Sequence, residues 1–513
     1  MIDGTPFLKF YARRRSFRLR QQNAADEQQN QLLKLVRRAE ATRFGRDHGF
    51  SEIHSVGDFQ ARVRLRRYED MWRDYWQPAF PKLIDCSWPG AISYFALSSG
   101  TTSGTTKYIP CSHEMNRANA RAALDVLVHH VRNRPESRVL SGTSFMLGGS
   151  TDLTELAPGI HAGDLSGIAA ARVPVWARSY VYPPRELALI ADWEKKIEAL
   201  SRGIMQEDIR SIAGTPSWLL IFFERLFASH RNREPKLHAF FPHLDLLIHG
   251  GVNFAPYRPQ FEALLAGSHA ETREAYAASE GFIAAADCGS GEGMRLIADN
   301  GLFFEFVPVA ELGAPTPPRH WAANIETGID YAIAVTSCAG LWAYVMGDTV
   351  RFVDRAPPRL LVTGRTSYYL SPFGEHLTGD EIEAAVSAAA SAIGAQIADF
   401  SVGAVFPDAE RQRGGHLYVV EFVGAAADRP DAVRFLQVID EVLCHRNDDY
   451  RAHRSGGFGL DPPQLLAVKR GTFEAWMKSR GQLGGQHKVP RVIADQALFE
   501  SLLAFRPGRV IEV

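Results

Sequence analysis

The sequence predicts an α/β protein of two domains. A large N-terminal domain of mixed sheets and helices includes a β-rich, barrel-like subdomain, and a small α+β domain follows it. Three observations carry this. The chain has 513 residues, more than one ordinary core holds. Residues 294–353 divide into consecutive strand-like runs, MRLIA, GLFFEFVPV, IDYAIAVTS and GLWAYVMGDTVRFV, with turn residues between them. Beyond Arg365, helical patterns over 380–393 and 432–445 alternate with strands over 401–406, 416–422 and 465–469, as in a ferredoxin-like unit. The expected domains are therefore 1–365 and 366–513.

Composition narrows the class. Apolar residues at 46% and charged residues at 22% describe an ordinary globular protein. A formal net charge of −1 gives no global attraction to nucleic acid or anionic membrane. The five cysteines are scattered and never spaced as CxxC, which supports neither a disulfide framework nor a zinc site and fits a reducing cytoplasm. No apolar run reaches the ~20 residues that span a bilayer.

Taken in order, the chain opens on an arginine-rich stretch, Arg13 to Arg20, interleaved with Phe7, Leu8, Phe10, Tyr11, Phe17 and Leu19. It has no signal-peptide pattern and reads as an amphipathic helix packed on the domain. A helix is expected over 31–41 and another starting at Ser55, with Phe59 facing the core. Ser112 is placed to cap a helix whose Met115, Ala118, Ala122, Leu127 and Val131 recur at helical spacing. Arg117 and Arg121 share one face of it. Residues 148–182 are loop-rich, the texture of a binding loop. Residues 193–228 read as two helical pieces broken near Gly214 and Pro216. Short strands over 244–248 and 273–276 end in HisGlyGly (249–251) and TyrAlaAlaSerGlu (276–280).

The most chemical stretch is Ser98 to Lys107, SSGTTSGTTK, after an apolar run and before the Ser112 helix. Glycines expose backbone N–H groups, serines and threonines add hydroxyls, and the lysine closes the loop with a cation; these are the groups that hold a polyphosphate. It is not a GxxxxGK[ST] loop, and a solvated Ser/Gly/Thr turn is the plainer alternative. No GxSxG or HExxH motif occurs, so neither a serine relay nor a zinc protease site is indicated.

SSGTTSGTTK, HGG with YAASE, YVMGD and TGR follow one another in an order that resembles the adenylate-forming superfamily of acyl-CoA synthetases and luciferases. The stretches TRFGRDHGF…SVGDFQARVRLRRYED and NDDYRAHRSGG…VKRGTFEAWMKSRGQLGGQHKVPR narrow the resemblance to the Gretchen Hagen 3 family of acyl acid amido synthetases, over about residues 42–495. The resemblance implies ATP and Mg²⁺. Ser98, Ser99, Gly100, Thr101, Thr102 and Lys107 would meet the phosphates, and Glu280 the metal. Gly250, Gly251, Tyr276 and Ser279 would line the nucleotide, with Tyr276 against adenine. Asp348 would accept from the ribose hydroxyls, and Tyr344 and Arg365 complete the set. Lys488 would be carried by a mobile C-terminal domain to the α-phosphate and withdrawn for transfer. Ala277 and Ala278 stand where the family has small hydroxyl residues, and GlyGlyGlnHis replaces its asparagine-rich lead-in to the lysine.

The expected reaction is adenylation of a small carboxylic acid, then transfer of the acyl group to an amine, an amino acid above all. Acyl selectivity is expected from the 112–133 helix, with Arg117 and Arg121, and from the 148–182 loop. An acyl-CoA or carrier-thiol ligase and an inactive nucleotide-binding protein are the alternatives.

Overall fold

The computed structural model describes residues 2–98, 106–148, 153–173, 175–188, 190, 193–250, 254, 257–289, 291–365, 369–370, 372–375, 377–395, 397–407, 413–422, 429–455, 459–480, 489–505 and 510–511. The chain forms two compact units. Met1–Ser98 and Lys107–Thr366 belong to the first, and Ser367–Val513 to the second.

Helices α1 (Thr5–Gln21) and α2 (Ala24–Ala39) open the first unit. As expected, α1 packs an inner face on the domain: Leu8 and Ala12 are buried against Val128, Val131, Val139 and Leu246. Helix α2 starts well before Gln31, because the Asn23 side chain accepts from the N–H groups of Ala25 and Asp26 and caps it there. Its buried Gln28 donates to the carbonyls of Ala298 and Leu302 and accepts from the Phe304 N–H, at 2.8–2.9 Å. Short helices α3 (Arg43–Asp47), α4 (Val56–Arg62) and α5 (Tyr68–Met71) follow. Ser55 caps α4 and Phe59 is fully buried, both as the sequence predicts.

Strands β1 (Tyr94–Ser98) and β2 (Lys107–Cys111) pair antiparallel, with Ser98 opposite Lys107. Helix α6 (His113–Asn133) then starts at Ser112, whose hydroxyl accepts from the Met115 N–H at 3.0 Å. Strand β3 (Thr143–Leu147) enters the large sheet, while β4 (Thr154–Ala157) and β5 (Ile160–Gly163) complete a four-stranded sheet ordered β2-β1-β5-β4. The remaining strands of the unit are β6 (Val181–Tyr182), β7 (Ile209–Gly214), β8 (Leu246–His249), β9 (Glu271–Ala278), β10 (Gly281–Ala285), β11 (Met294–Leu296), β12 (Leu302–Pro308), β13 (Asp330–Ser337), β14 (Tyr344–Arg355) and β15 (Pro358–Arg365). With β3 they form one sheet, β12-β13-β14-β15-β11-β10-β9-β8-β7-β3-β6. Pairing is parallel from β9 through β8, β7 and β3 to β6, and antiparallel on the other side of β9.

The antiparallel half curls. Tyr276 in β9 donates a 2.6 Å hydrogen bond to Asp348 in β14, four strands away in the sheet. Flat strands would separate them by about 19 Å, too far for two side chains to bridge. The strand-rich stretch predicted at 294–353 supplies β11, β12, β13 and β14 of this half.

Two expectations need correction. The 148–182 stretch contains β4, β5, the helix Leu165–Ala171 and β6. The 193–228 stretch is a helix (Trp193–Gly203), then strand β7, then a second helix (Pro216–Ser229). Ile209 and Ile212 of β7 are three apart and buried, a spacing that a helix shares, so periodicity concealed a central strand.

In the second unit, β16 (Tyr369–Leu370) pairs with β17 (Leu377–Thr378). Strands β18 (Ile397–Val405), β19 (Gly415–Phe422), β20 (Gln464–Val468), β21 (Val492–Ile493) and β22 (Val510–Ile511) form a sheet ordered β21-β18-β19-β20-β22. Helices Gly379–Ala392 and Arg429–Arg446 are present as expected, and Val419, Leu466, Phe473, Trp476 and Phe499 build a core on this sheet. Among the described residues, no helix is long and apolar enough to cross a membrane.

Candidate active site

Lys107 opens β2 and is largely buried. Its ammonium lies 3.9 Å from Glu69 Oε1 and 5.2 Å from the centre of the Tyr68 ring. The Tyr68 hydroxyl accepts from the Tyr108 N–H at 3.0 Å, so α5 holds both the cation and the backbone beside it. Burial pushes the Tyr68 phenol up to about 12. Helix α5 is anchored in turn: the Arg66 N–H donates to Ala343 O at 3.0 Å, and the Val345 N–H to Arg66 O at 2.9 Å. Tyr68 and Glu69 did not stand out in the sequence. The only signal was the sequence RRYED among the stretches that resemble the family.

Glu280 sits at a two-residue turn joining β9 to β10, where Ala278 faces Gly281. Gly281 has φ 146°, and an added Cβ would lie 2.9 Å from Leu302 Cδ1, so the turn requires glycine. Although on a turn, Glu280 is only 8% exposed. The Tyr344 hydroxyl hydrogen-bonds to its carboxylate; burial first, then the Glu280 charge, hold the Tyr344 phenol well above its usual value, and Glu69 and Tyr68 add to this. The structure thus brings Lys107, Tyr68, Glu69, Tyr344 and Glu280 together, from segments far apart in the chain. Among the described residues no group of three or more His, Cys, Asp or Glu forms a metal cage. Glu280 offers a single buried carboxylate beside the Tyr344 hydroxyl, a donor of the oxygen type that Mg²⁺ takes together with waters and phosphate oxygens.

The second cluster centres on Asp348. Gly347 before it has φ 96°, and pairing of β13 with β14 shifts register between Ala332 and Ala334, a bulge that re-aims the chain at Asp348. Tyr276, buried, donates to Asp348 Oδ2 at 2.6 Å. Gly250 follows β8, and a Cβ there would come within 2.0 Å of Ala275 O, so the backbones meet closely at this point. His249 is buried and stacked on Phe254 with ring centres 3.5 Å apart. Among the described residues neither of its ring nitrogens has a hydrogen-bond partner, and burial with Arg258 nearby lowers its pKa to about 3, so the ring is neutral. Glu274 is paired in register with His249, and burial raises its carboxyl to about 7.

Other predicted residues are placed as follows. Ser98 ends β1, half-buried, and Ser279 lies beside Glu280. Arg365 is paired in register with Asp348 at the end of β15. Ser99, Gly100, Thr101, Thr102, Gly251 and Lys488 lie outside the described residues. Arg117 and Arg121 are exposed on α6. Arg121 acts on Asp299 by charge.

The fold is one shared with solved ligase structures. Over 96% of this chain, it superposes on 95% of an AtGH3.15 acyl acid amido synthetase in complex with 2,4-DB, at TM-score 0.58 and 19% identity. Over 93% of the chain it superposes on 90% of a 2-hydroxyisobutyryl-CoA ligase in complex with 2-HIB-AMP and CoA, at TM-score 0.57 and 18% identity. The profile of the GH3 family N-terminal domain matches residues 13–155 and 150–270, that of the central domain 295–365, and that of the C-terminal domain 380–497. The chain belongs to the GH3 family. It is 29% identical over 276 residues to the indole-3-acetic acid-amido synthetase GH3.8 of Oryza sativa subsp. indica, covering 51% of this chain and 45% of that protein. It is 26% identical over 272 residues to the GH3.3 enzyme of the same name from Arabidopsis thaliana, with coverage of 51% and 45%. The chain spans about half the length of the curated relatives it matches.

Proposed function

We propose that this protein is an ATP-dependent acyl acid amido synthetase. It would adenylate a small carboxylic acid and pass the acyl group to an amine, in particular an amino acid. The observation that carries the reading is the convergence of Lys107 and Glu280, linked through Glu69 and Tyr344, in a unit that also holds the Tyr276–Asp348 pair.

A carboxylate attacks phosphorus poorly because both partners are anionic. In the proposed first step a carboxylate oxygen bonds to the α-phosphorus of ATP and the bond to pyrophosphate breaks. Lys107 offsets phosphate charge, with Ser98, Ser99, Gly100, Thr101 and Thr102 as further donors. Glu280 would hold Mg²⁺, whose charge neutralises the phosphates when bound, and Tyr344 keeps that carboxylate in place. Asp348, oriented by Tyr276, would accept from the ribose hydroxyls. Gly250, Gly251 and Ser279 would lie along the nucleotide, with Arg365 and Lys488 as further cations. In the second step an amine nitrogen bonds to the acyl carbon, AMP leaves, and the nitrogen loses a proton.

Pyrophosphate exchange into ATP that depends on added acid, with AMP and an amide as final products, is the expected result. ADP and phosphate as products would overturn adenylation. A thioester formed with coenzyme A in preference to an amide would keep adenylation and replace the acceptor.

A further inference from the structure

Helix α1 buries only one of its sides. Leu8, Ala12, Ser16 and Leu19 face the domain, and Arg15 is clamped there by Asp125 and Asp299, with Nη2 2.6 Å from Asp125 Oδ2 and 2.8 Å from Asp299 Oδ1. The other side stands in solvent with Phe7 77%, Phe10 59% and Phe17 55% exposed. With Ile2 and Tyr11, this segment carries five of the nine exposed large apolar side chains among the described residues. Apolar side chains scattered singly need no explanation, whereas a concentration on one helix face marks an interaction site.

Charge says what covers it. At 100° per residue, Phe10 and Phe17 lie within about 20° of each other on the outer line of the helix. Arg13 and Arg20 lie about 40–80° to one side of them, and Arg14 and Arg18 about 40–100° to the other. All four arginines are exposed, and α1 contains no acidic residue. Among the described residues only Arg15 of the helix makes an ion pair, inward, and Arg14 rests 4.8 Å from the centre of the Phe10 ring. An apolar line between two cationic rows matches a surface that is apolar below and anionic above. A second copy of the chain would set arginine rows against each other and is disfavoured by charge.

We infer that the outer face of α1 docks on an anionic lipid bilayer, with Phe7, Phe10 and Phe17 entering the acyl boundary and Arg13, Arg14, Arg18 and Arg20 on headgroup phosphates. The helix would lie in the interface, held rigid by the domain behind it, and would not span. This stands apart from the proposed catalysis, to which no residue of α1 is assigned. It also explains how a chain of net charge −1 can seek an anionic surface: α1 gathers five arginines and one lysine with no acidic residue among them.

The test is co-sedimentation of the full chain with vesicles of phosphatidylcholine alone and of an equimolar phosphatidylcholine–phosphatidylglycerol mixture. Binding to the mixed vesicles should exceed binding to the neutral ones by about tenfold or more and fall at high salt. Phe10→Ser with Phe17→Ser, and separately Arg13→Glu with Arg20→Glu, should each lower it about tenfold, with circular dichroism and Tm unchanged because these side chains face water. Equal binding to both vesicle types, or variants that bind like the parent, would overturn the inference. So would a stable dimer that dissociates in the phenylalanine variant, or retention on single-stranded oligonucleotide but not on vesicles. If either pair of substitutions lowers Tm, Phe7→Ser alone decides, and its undiminished binding would be the overturning result.

Discussion

The Tyr276 hydroxyl donates to Asp348 Oδ2 at 2.6 Å across four strands of a curled sheet. Tyr276 would therefore serve as a positioning residue for the carboxylate as well as a neighbour of the base. A hydrogen bond to a charged group contributes about 1.5–3 kcal/mol. Tyr276→Phe should raise KM for ATP by roughly tenfold with a smaller change in kcat, and should narrow the preference for ATP over its 2′-deoxy analogue. Initial rates with both nucleotides check this; an unchanged preference would separate Asp348 from the ribose.

Glu280→Gln keeps the shape of the side chain and an acceptor for the Tyr344 hydroxyl, but removes the charge. Acid-dependent pyrophosphate exchange should fall by two orders of magnitude or more, on the scale of losing a principal charge stabiliser. Tm should stay within what about 1 kcal/mol produces. Part of the activity should return as Mg²⁺ is raised, and a magnesium titration of the exchange rate measures that.

Lys107→Ala should slow adenylation by roughly 10²–10³. Glu69→Gln should act differently. Its carboxylate is 46% exposed and 3.9 Å from the largely buried ammonium, at the outer limit of an ion pair, so it steers the cation more than it stabilises the fold. The expected result is an unchanged Tm and a several-fold rise in KM for ATP, because Lys107 loses its guide. Parallel melting curves and ATP saturation curves distinguish the two.

Glu274 gives a pH prediction. Burial raises its carboxyl to about 7 in the folded chain, from an ordinary 4.5. Between those values the folded state binds the extra proton, so this group's contribution to stability falls as pH rises from about 4.5 through about 7 and is flat above. Glu274→Gln removes the penalty. The variant should melt a few degrees above the parent at pH 8, and the gain should vanish near pH 4.5.

Much of this was legible in the chain. Ser112 caps its helix because a hydroxyl before an apolar-periodic run serves no other local purpose so well, and the strands from Met294 to Arg365 alternate with clear turn residues. Glu280 and Asp348 stood out through motifs whose turns the structure explains, Gly281 just after the first and Gly347 within the second both having positive φ. What escaped was tertiary. Tyr68 and Glu69 meet Lys107 only because Arg66 joins β14 through its backbone, and no local pattern announces a single bridge. Strand β7 escaped because it is short and its isoleucines suit either period. The unpaired His249 is a burial fact, invisible in the letters HGG.

The pairing of Ser98 with Lys107 has a consequence for how this chain can vary. In the sequence, eight residues, 99–106, separate these two facing positions. Lys107 is placed by the five-pair register of β1 on β2, so lengthening, shortening or grafting the sequence between the strands should leave its position untouched. Loop exchange among relatives is then a route to new phosphate or acyl preferences that does not require the fold to be relearned.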